Sequence, residues 1–531
     1  MLRRWGFATA MVVTLAIGAA FRVPQIEQRP MHLDEAVQAY KTGQLLETGQ
    51  YRYHPHEFHG PTLYYLTLPV LWAAGVEDFA DSREGHYRVV PVVFGLGLVA
   101  LLGLLGQAMG PAAAVCAGVL VAVSPAMSFY SRYYVQEMLL VLFTFGLLAA
   151  GWRYARSGRW GWALAGGVCL GLMHATKETC VIALGCMALA LGWVVWWRGR
   201  KTGDTGLRGR MRPWRVPAAG IVAGAAVSML FFSSFFTHPA GVLDSVRAFG
   251  YYLARSGGSG TTGLHDHPWH EYLSMLIYTH PAPGPWWSEG IIVALSVVGV
   301  VAALWGRGLG RGDLWGWRFI ATYTVLMVIV YSAIPYKTPW NWLSAQHAMI
   351  LTAGIGATAL VRATPGRAGK MCVALLLAAG VFQLGLQARM TNFRYASDPR
   401  NPYVYAHTVD DVKRLARRVG QIAELHPSGR RMPIKVITQS EHAWPLPWYL
   451  RKYPNVSYSH GLPAECDAPV VINDMTFEAE VKTALNEVYQ PEYYGLRPEV
   501  LLRMRIRQGL WDRWLDRQPP EAARAKGGAG P

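Results

Sequence analysis

Apolar runs long enough to cross a bilayer recur along this chain, and they leave few folds open to it. They cover residues 7–21, 89–109, 111–128, 138–152, 160–175, 179–197, 216–236, 290–306, 319–335, 343–361 and 371–388. A hydrocarbon core takes about 20 residues of helix, and only helices or closed barrels satisfy their backbone there. The sequence therefore predicts a polytopic α-helical membrane protein with about eleven transmembrane helices. Composition agrees. Of 531 residues, 52% are hydrophobic and 16% charged, and the mean hydropathy is +0.17. That excludes a disordered chain and argues against an ordinary cytosolic domain. The first run follows Arg3-Arg4 and is read as a retained anchor rather than a cleaved signal peptide.

A net charge of +17 would point to nucleic acid on a soluble protein. Here its placement points elsewhere. With the N-terminus inside and the spans alternating, the inside loops are 1–6, 153–159, 198–215, 307–318 and 362–370. They hold 18 basic residues against two acids, Asp204 and Asp313. The outside loop 22–88 holds six basic residues and nine acids, and the loop 237–289 two and four. This is the positive-inside pattern. It places the chain in the inner cell membrane as a multi-pass protein and makes lipid its partner, not nucleic acid.

The composition changes after residue 388, where long apolar runs stop. Residues 1–388 read as the membrane module and 389–518 as a soluble extracytoplasmic α/β domain, with a disordered tail at 519–531. In the soluble part, Val409 to Leu425 has helical periodicity and Trp448 to Lys452 a helical turn. Residues 433–438 and 468–473 read as short buried strands. Within loop 22–88, the apolar segment from Pro61 to Ala74 is too short to span and reads as an interfacial helix. The six cysteines form no CxxC pair, which argues against a disulfide framework or a cysteine zinc site. No phosphate-binding glycine loop of the Walker type is present, so ATP-driven transport by this chain has no support.

Five charges of mixed sign fall at the outer ends of the predicted helices: Arg132, Glu137, Lys177, Glu178 and Lys337. Ionisable groups near membrane depth are costly and default to function. Three segments carry the chemistry. His32-Leu33-Asp34-Glu35 follows the first span, and a carboxylate at that depth is a candidate general base. Ser131-Arg132 to Glu137 joins the third and fourth spans and offers an ion pair, or an anion clamp beside a carboxylate. Gly171-Leu172 to Thr176-Lys177 joins the fifth and sixth, and its lysine suits a phosphate.

Together these segments resemble the GT-C membrane glycosyltransferases of the protein mannosyltransferase type, which include the bacterial aminoarabinose transferases of lipid A. Glu137 stands where that family has Asp. The family's interfacial His-Pro-Pro-Leu-Tyr-Tyr helix resembles His59-Gly60-Pro61-Thr62-Leu63-Tyr64-Tyr65, which is one residue longer. The likeness is closest to the flippase-activity-associated subfamily, through His32-x-Asp34-Glu35, Phe58-His59-Gly60-Pro61 and Pro335-Tyr336-Lys337-Thr338-Pro339-Trp340. The resemblance implies the GT-C fold and a polyprenyl-phosphate sugar as donor. It also implies inverting transfer to a glycan, lipid or protein acceptor on the outside face. On that reading Asp34 is the base. Lys177 and Arg132 stabilise the departing phosphate. Glu35 and Glu137 orient the sugar or hold a cation, and His59 and Lys337 line the substrate cavity.

Loop 237–289 adds His265-Asp266-His267-Pro268-Trp269-His270-Glu271. His265 and His267 are candidate ligands for a divalent metal cofactor. A sugar-contacting role is the alternative, because Trp269, Trp286 and Trp287 offer stacking faces. The rival from another class is a non-enzymatic translocator of lipid-linked sugars, or a flippase-associated protein, which needs the cavity but no base. A sensor using the outer domain explains the tail but not the buried charges.

Overall fold

A computed structural model describes residues 2–56, 59–203, 214–256, 265–306 and 312–517. Phe58 and the expected tail at 519–531 lie outside them. Each expected span falls on a helix. Among the described residues, eight helices are long and apolar enough to cross a membrane by length and composition. The other three expected spans are short: Pro111–Val123 and Gly290–Trp305 are apolar, and Trp160–His174 has 15 residues. The expected interfacial segment forms the helix Thr62–Ala73.

The chain separates into two compact units. One comprises Met1–Ile26, Thr48–Ala74 and Gly85–Tyr405, and the other Glu27–Glu47, Gly75–Glu84 and Ala406–Pro531. The sequence boundary at 388 assigned all of loop 22–88 to the membrane module. Two pieces of that loop belong instead with the C-terminal residues. Long-range packing of this kind leaves no local periodicity to read.

In the first unit, helices without a hydrophobic drive between them need close backbone approach. Gly167 and Gly171 on Trp160–His174 meet Gly220 and Gly224 on Arg215–Phe232. A Cβ on Gly167 would lie 1.9 Å from the Gly220 carbonyl oxygen. Buried polar side chains pin the helix ends. Arg22 donates to the carbonyls of Val121 (2.8 Å) and Ala122 (2.9 Å) and to Ser131 Oγ (3.1 Å), so it covers the C-terminal carbonyls of Pro111–Val123. Glu289 accepts from Ser124 Oγ (2.5 Å), Ala126 N–H (2.9 Å), Gln346 Nε2 (2.8 Å) and Tyr403 OH (2.6 Å). Burial pushes its carboxyl above the ordinary range, against the pull of these four hydrogen bonds.

The second unit holds a five-stranded sheet in the order β2-β1-β3-β5-β4. The strands are β1 Ile434–Ile437, β2 Val456–Ser459, β3 Val470–Asp474, β4 Tyr489–Arg497 and β5 Val500–Arg507. β1 runs parallel to β2 and β3, and β5 antiparallel to β3 and β4. The helices Asp411–Ala423 and Gln508–Asp516 pack on one face through Val412, Leu415, Val419 and Leu510 against Ile434, Ile472 and Met504. The two expected strands and both expected helical segments are present. The sequence reading lacks β2 and the β4–β5 hairpin. It also lacks the helix Leu33–Thr48, whose Gly43 lies under Phe79, with a Cβ position 2.5 Å from that ring.

Candidate functional site

The loop between Trp160–His174 and the helix Cys180–Thr202 carries Thr176, Lys177 and Glu178, all buried. Gly60 lies on it so closely that a Cβ there would sit 2.1 Å from the Ala175 carbonyl oxygen. Thr62 N–H donates to that same oxygen at 3.2 Å, and Thr62 and Thr176 share a hydroxyl hydrogen bond of 2.7 Å. The His59-Gly60-Pro61 motif is thus docked on the Thr-Lys motif, and only glycine permits the approach.

Docking sets up two adjacent pairs, His59 with Glu178 and Lys177 with Glu137. His59 Nδ1 lies 2.8 Å from Glu178 Oε2, and Tyr53 OH donates to Glu178 Oε1 at 3.1 Å. Burial opposes ionisation of Glu178. The charge and hydrogen bond of His59, with Lys177 nearby, outweigh it and hold the carboxyl below the ordinary value. Lys177 Nζ donates to Glu137 Oε1 and, at 2.9 Å, to Asn341 Oδ1. Two of the sequence motifs, Ser131 to Glu137 and Thr176-Lys177, therefore meet at one lysine, which also holds Asn341, the residue just after the Pro335-to-Trp340 motif. Glu137 Oε2 is buried and has no hydrogen-bond partner among the described residues. An ammonium has three N–H donors, and Glu137 and Asn341 account for two. The pair thus presents one cationic donor beside one anionic acceptor. An open cavity of about 420 Å³ lies against Tyr53, lined also by Arg52, His54, His56, His238 and Arg247.

Other sequence candidates are engaged differently. Arg132 donates to the backbone carbonyls of Gln25 (2.8 Å) and Phe21 (3.4 Å), just where the helix Leu2–Arg22 ends. Lys337 Nζ donates to the carbonyls of Ser332 (3.1 Å) and Ile334, so it covers the C-terminus of the helix Leu314–Ala333. Burial lowers the Lys337 pKa against the pull of Glu271 and Asp266. His265 Nδ1 lies 2.5 Å from Tyr405 OH. His267 lines a second cavity. Among the described residues no group of three or more His, Cys, Asp or Glu could hold a metal ion: the HxH pair offers two ligands and no third converges. Trp269 is 66% exposed, whereas Trp287 is fully buried with its indole N–H on the Arg400 carbonyl at 2.7 Å.

In the second unit, the His32-x-Asp34-Glu35 motif is a helix start. His32 is the N-cap of Leu33–Thr48. Its Nδ1 accepts from Asp34 N–H at 3.1 Å, and Glu35 Oε2 accepts from His32 N–H at 3.0 Å, which closes a capping box. Glu35 Oε1 also pairs with Arg29 at 2.9 Å, and the Glu35 side chain has no exposed surface. Asp34, by contrast, keeps a side chain that is 37% exposed. Of the two expected carboxylates, one is locked into local structure and the other is presented. The partners Arg29, Asn341, Tyr53 and Glu289 were absent from the sequence candidates. Nothing in their local sequence marks them.

A family model described as dolichyl-phosphate-mannose-protein mannosyltransferase matches residues 66–243. The fold is similar to that of ArnT from Cupriavidus metallidurans bound to undecaprenyl phosphate. The TM-score is 0.61 at 14% identity, over 94% of this chain and 98% of that one. It is also similar to the archaeal oligosaccharyltransferase AglB from Archaeoglobus fulgidus in complex with an inhibitory peptide and a dolichol-phosphate. There the TM-score is 0.56 at 10% identity, over 93% and 74% of the two chains. No curated protein matches the chain by sequence.

Proposed function

The chain has the GT-C glycosyltransferase fold of the mannosyltransferase and aminoarabinose-transferase type, and from that premise we propose that it transfers a sugar from a polyprenyl-phosphate donor to an acceptor on the extracytoplasmic face, with inversion. The observation that carries this reading is the buried Lys177–Glu137 pair. Its remaining N–H suits a phosphate oxygen, and its unpartnered carboxylate oxygen suits a sugar hydroxyl. The acceptor oxygen attacks the anomeric carbon as the bond from that carbon to the phosphate oxygen breaks. The acceptor proton passes to Asp34. The phosphate keeps the bonding electrons, and Lys177 stabilises its charge. Glu137 and His59 orient the donor sugar. Glu35 fixes the helix start that carries Asp34, and Arg132 covers the end of the helix Leu2–Arg22.

The basic inside loops support an N-terminus in the cytoplasm and residues 389–517 outside, in the inner cell membrane. The test is an assay of purified full-length protein with a panel of radiolabelled polyprenyl-phosphate sugars. Transfer from one donor is expected. Lipid movement without any transfer would favour the translocator.

A further inference from the structure

The second cavity, about 350 Å³, lies within the first unit between the helix Glu271–Ile277 and the segments 337–339 and 399–405. We infer that it is a saccharide subsite, and that the acceptor of the proposed transfer is a glycan; the acceptor role rests on that transfer, the sugar binding does not.

Its walls are fixed by internal bonds. Tyr272 OH donates to the Thr338 carbonyl at 3.0 Å, and its ring stacks on Trp342 with centroids 4.8 Å apart. Asn401 Nδ2 donates to the Tyr395 carbonyl at 3.0 Å. Residues 265–267 pair with 335–337 through an antiparallel bridge from Asp266 to Tyr336, with Lys337 N–H on the His265 carbonyl at 2.9 Å. Its rim is uncommitted: among the described residues the side chains of His267, Glu271 and Tyr278 make no hydrogen bond. The lining includes three tyrosine rings, a carboxylate, an imidazole, the hydroxyls of Ser274, Thr279 and Thr338, the Asn401 amide and Lys337, with four prolines between them. Ring faces beside acceptors in a preformed pocket suit a polyhydroxylated ligand. A prenyl tail would need an aliphatic wall, and only Met275 and Val404 offer long or branched apolar side chains. The stacking residues expected from sequence were tryptophans; the cavity uses tyrosines. Its wall at Lys337–Pro339 continues two residues on to Asn341, the partner of Lys177. An occupied cavity would thus steady the segment that holds the phosphate lysine.

The test uses full-length protein in detergent, with maltose, cellobiose and N,N′-diacetylchitobiose as probes in saturation-transfer NMR. At least one should bind the wild type, and should bind Glu271→Gln/Tyr278→Ala about ten-fold more weakly, the loss of one hydrogen bond to a charged group. Tyr278→Phe keeps the ring and should retain binding. Farnesyl phosphate, measured in parallel, should bind both proteins equally and bind Lys177→Gln at least ten-fold more weakly. No binding of any sugar by the wild type, or unchanged sugar binding by the double variant, overturns the subsite. Failure of farnesyl phosphate to bind the wild type would instead count against the donor reading and leave the subsite standing.

Discussion

Lys177 and Glu137, 40 residues apart in sequence, form a buried ion pair whose lysine also holds Asn341. The pair is a structural element and, in the proposed function, also the donor site, and the two roles separate by mutation. Lys177→Gln leaves Glu137 buried without its counter-charge, which costs about 3–5 kcal/mol. Lys177→Gln/Glu137→Gln removes both charges and should recover most of that stability. Neither variant should recover donor affinity. Binding of a polyprenyl phosphate should weaken by about 1.5–3 kcal/mol in both, the range for a hydrogen bond to a charged group. Thermal unfolding and direct binding together check this, and unchanged affinity in the double variant would reject the phosphate role.

Gly60 is the next test, because it fixes how the His59 motif docks. With Ala175 O at 2.1 Å from the added methyl, Gly60→Ala must push the two loops apart. Overpacking of this kind costs about 1–3 kcal/mol. It should also separate His59 from Glu178, so the effect of a second change, Glu178→Gln, should be smaller in the Gly60→Ala background. Equal effects in both backgrounds would show that the docking does not position the dyad.

Glu178 gives stability a defined pH dependence. Its folded pKa lies below the ordinary 4.5, so its contribution is present above about that pH and fades as pH falls through the folded value. The difference in Tm between wild type and Glu178→Gln should be widest near neutrality and shrink on acidification. A difference that grows toward acid would contradict the sign.

Much of this was legible in the sequence because the signals were local. Span positions came from apolar run lengths, and Lys177 and Glu137 from being charges where charge is costly. What escaped was long-range. Nothing near Asn341 announces a lysine 164 residues away, and no periodicity assigns Leu33–Thr48 to the same unit as the sheet. Charge at a helix end is also ambiguous by nature. Arg132 and Lys337 read as ligand-binding cations, yet both donate to backbone carbonyls at helix C-termini, where the macrodipole and unpaired oxygens already favour a cation.

Topology can be checked without any substrate. The inside loops carry 18 basic residues against two acids, so a reporter active only outside should be active when fused after residue 392 and silent after residue 205. The reverse result would invert the orientation and remove the outside-face chemistry with it.

Asp34 and Glu35 are adjacent, but their side chains are held differently. Glu35 accepts from Arg29 and from His32 N–H with no exposed surface. Glu35→Gln breaks a buried ion pair and weakens the helix start, so its effect should appear in thermal stability. Asp34 is partly exposed, and its carboxylate is not needed for the cap, which uses its N–H. Asp34→Asn keeps the shape and the N–H and removes the base. An acceptor hydroxyl is a poor nucleophile until its proton has somewhere to go, and a positioned base contributes about 10²–10⁴-fold. Asp34→Asn should therefore lower transfer by that order, with Tm and donor affinity nearly unchanged. The pair of variants makes a crossed comparison: one loses stability, the other turnover. Wild-type transfer by Asp34→Asn would remove it as the base. His59, held by Glu178 at 2.8 Å, would then be the residue to substitute next.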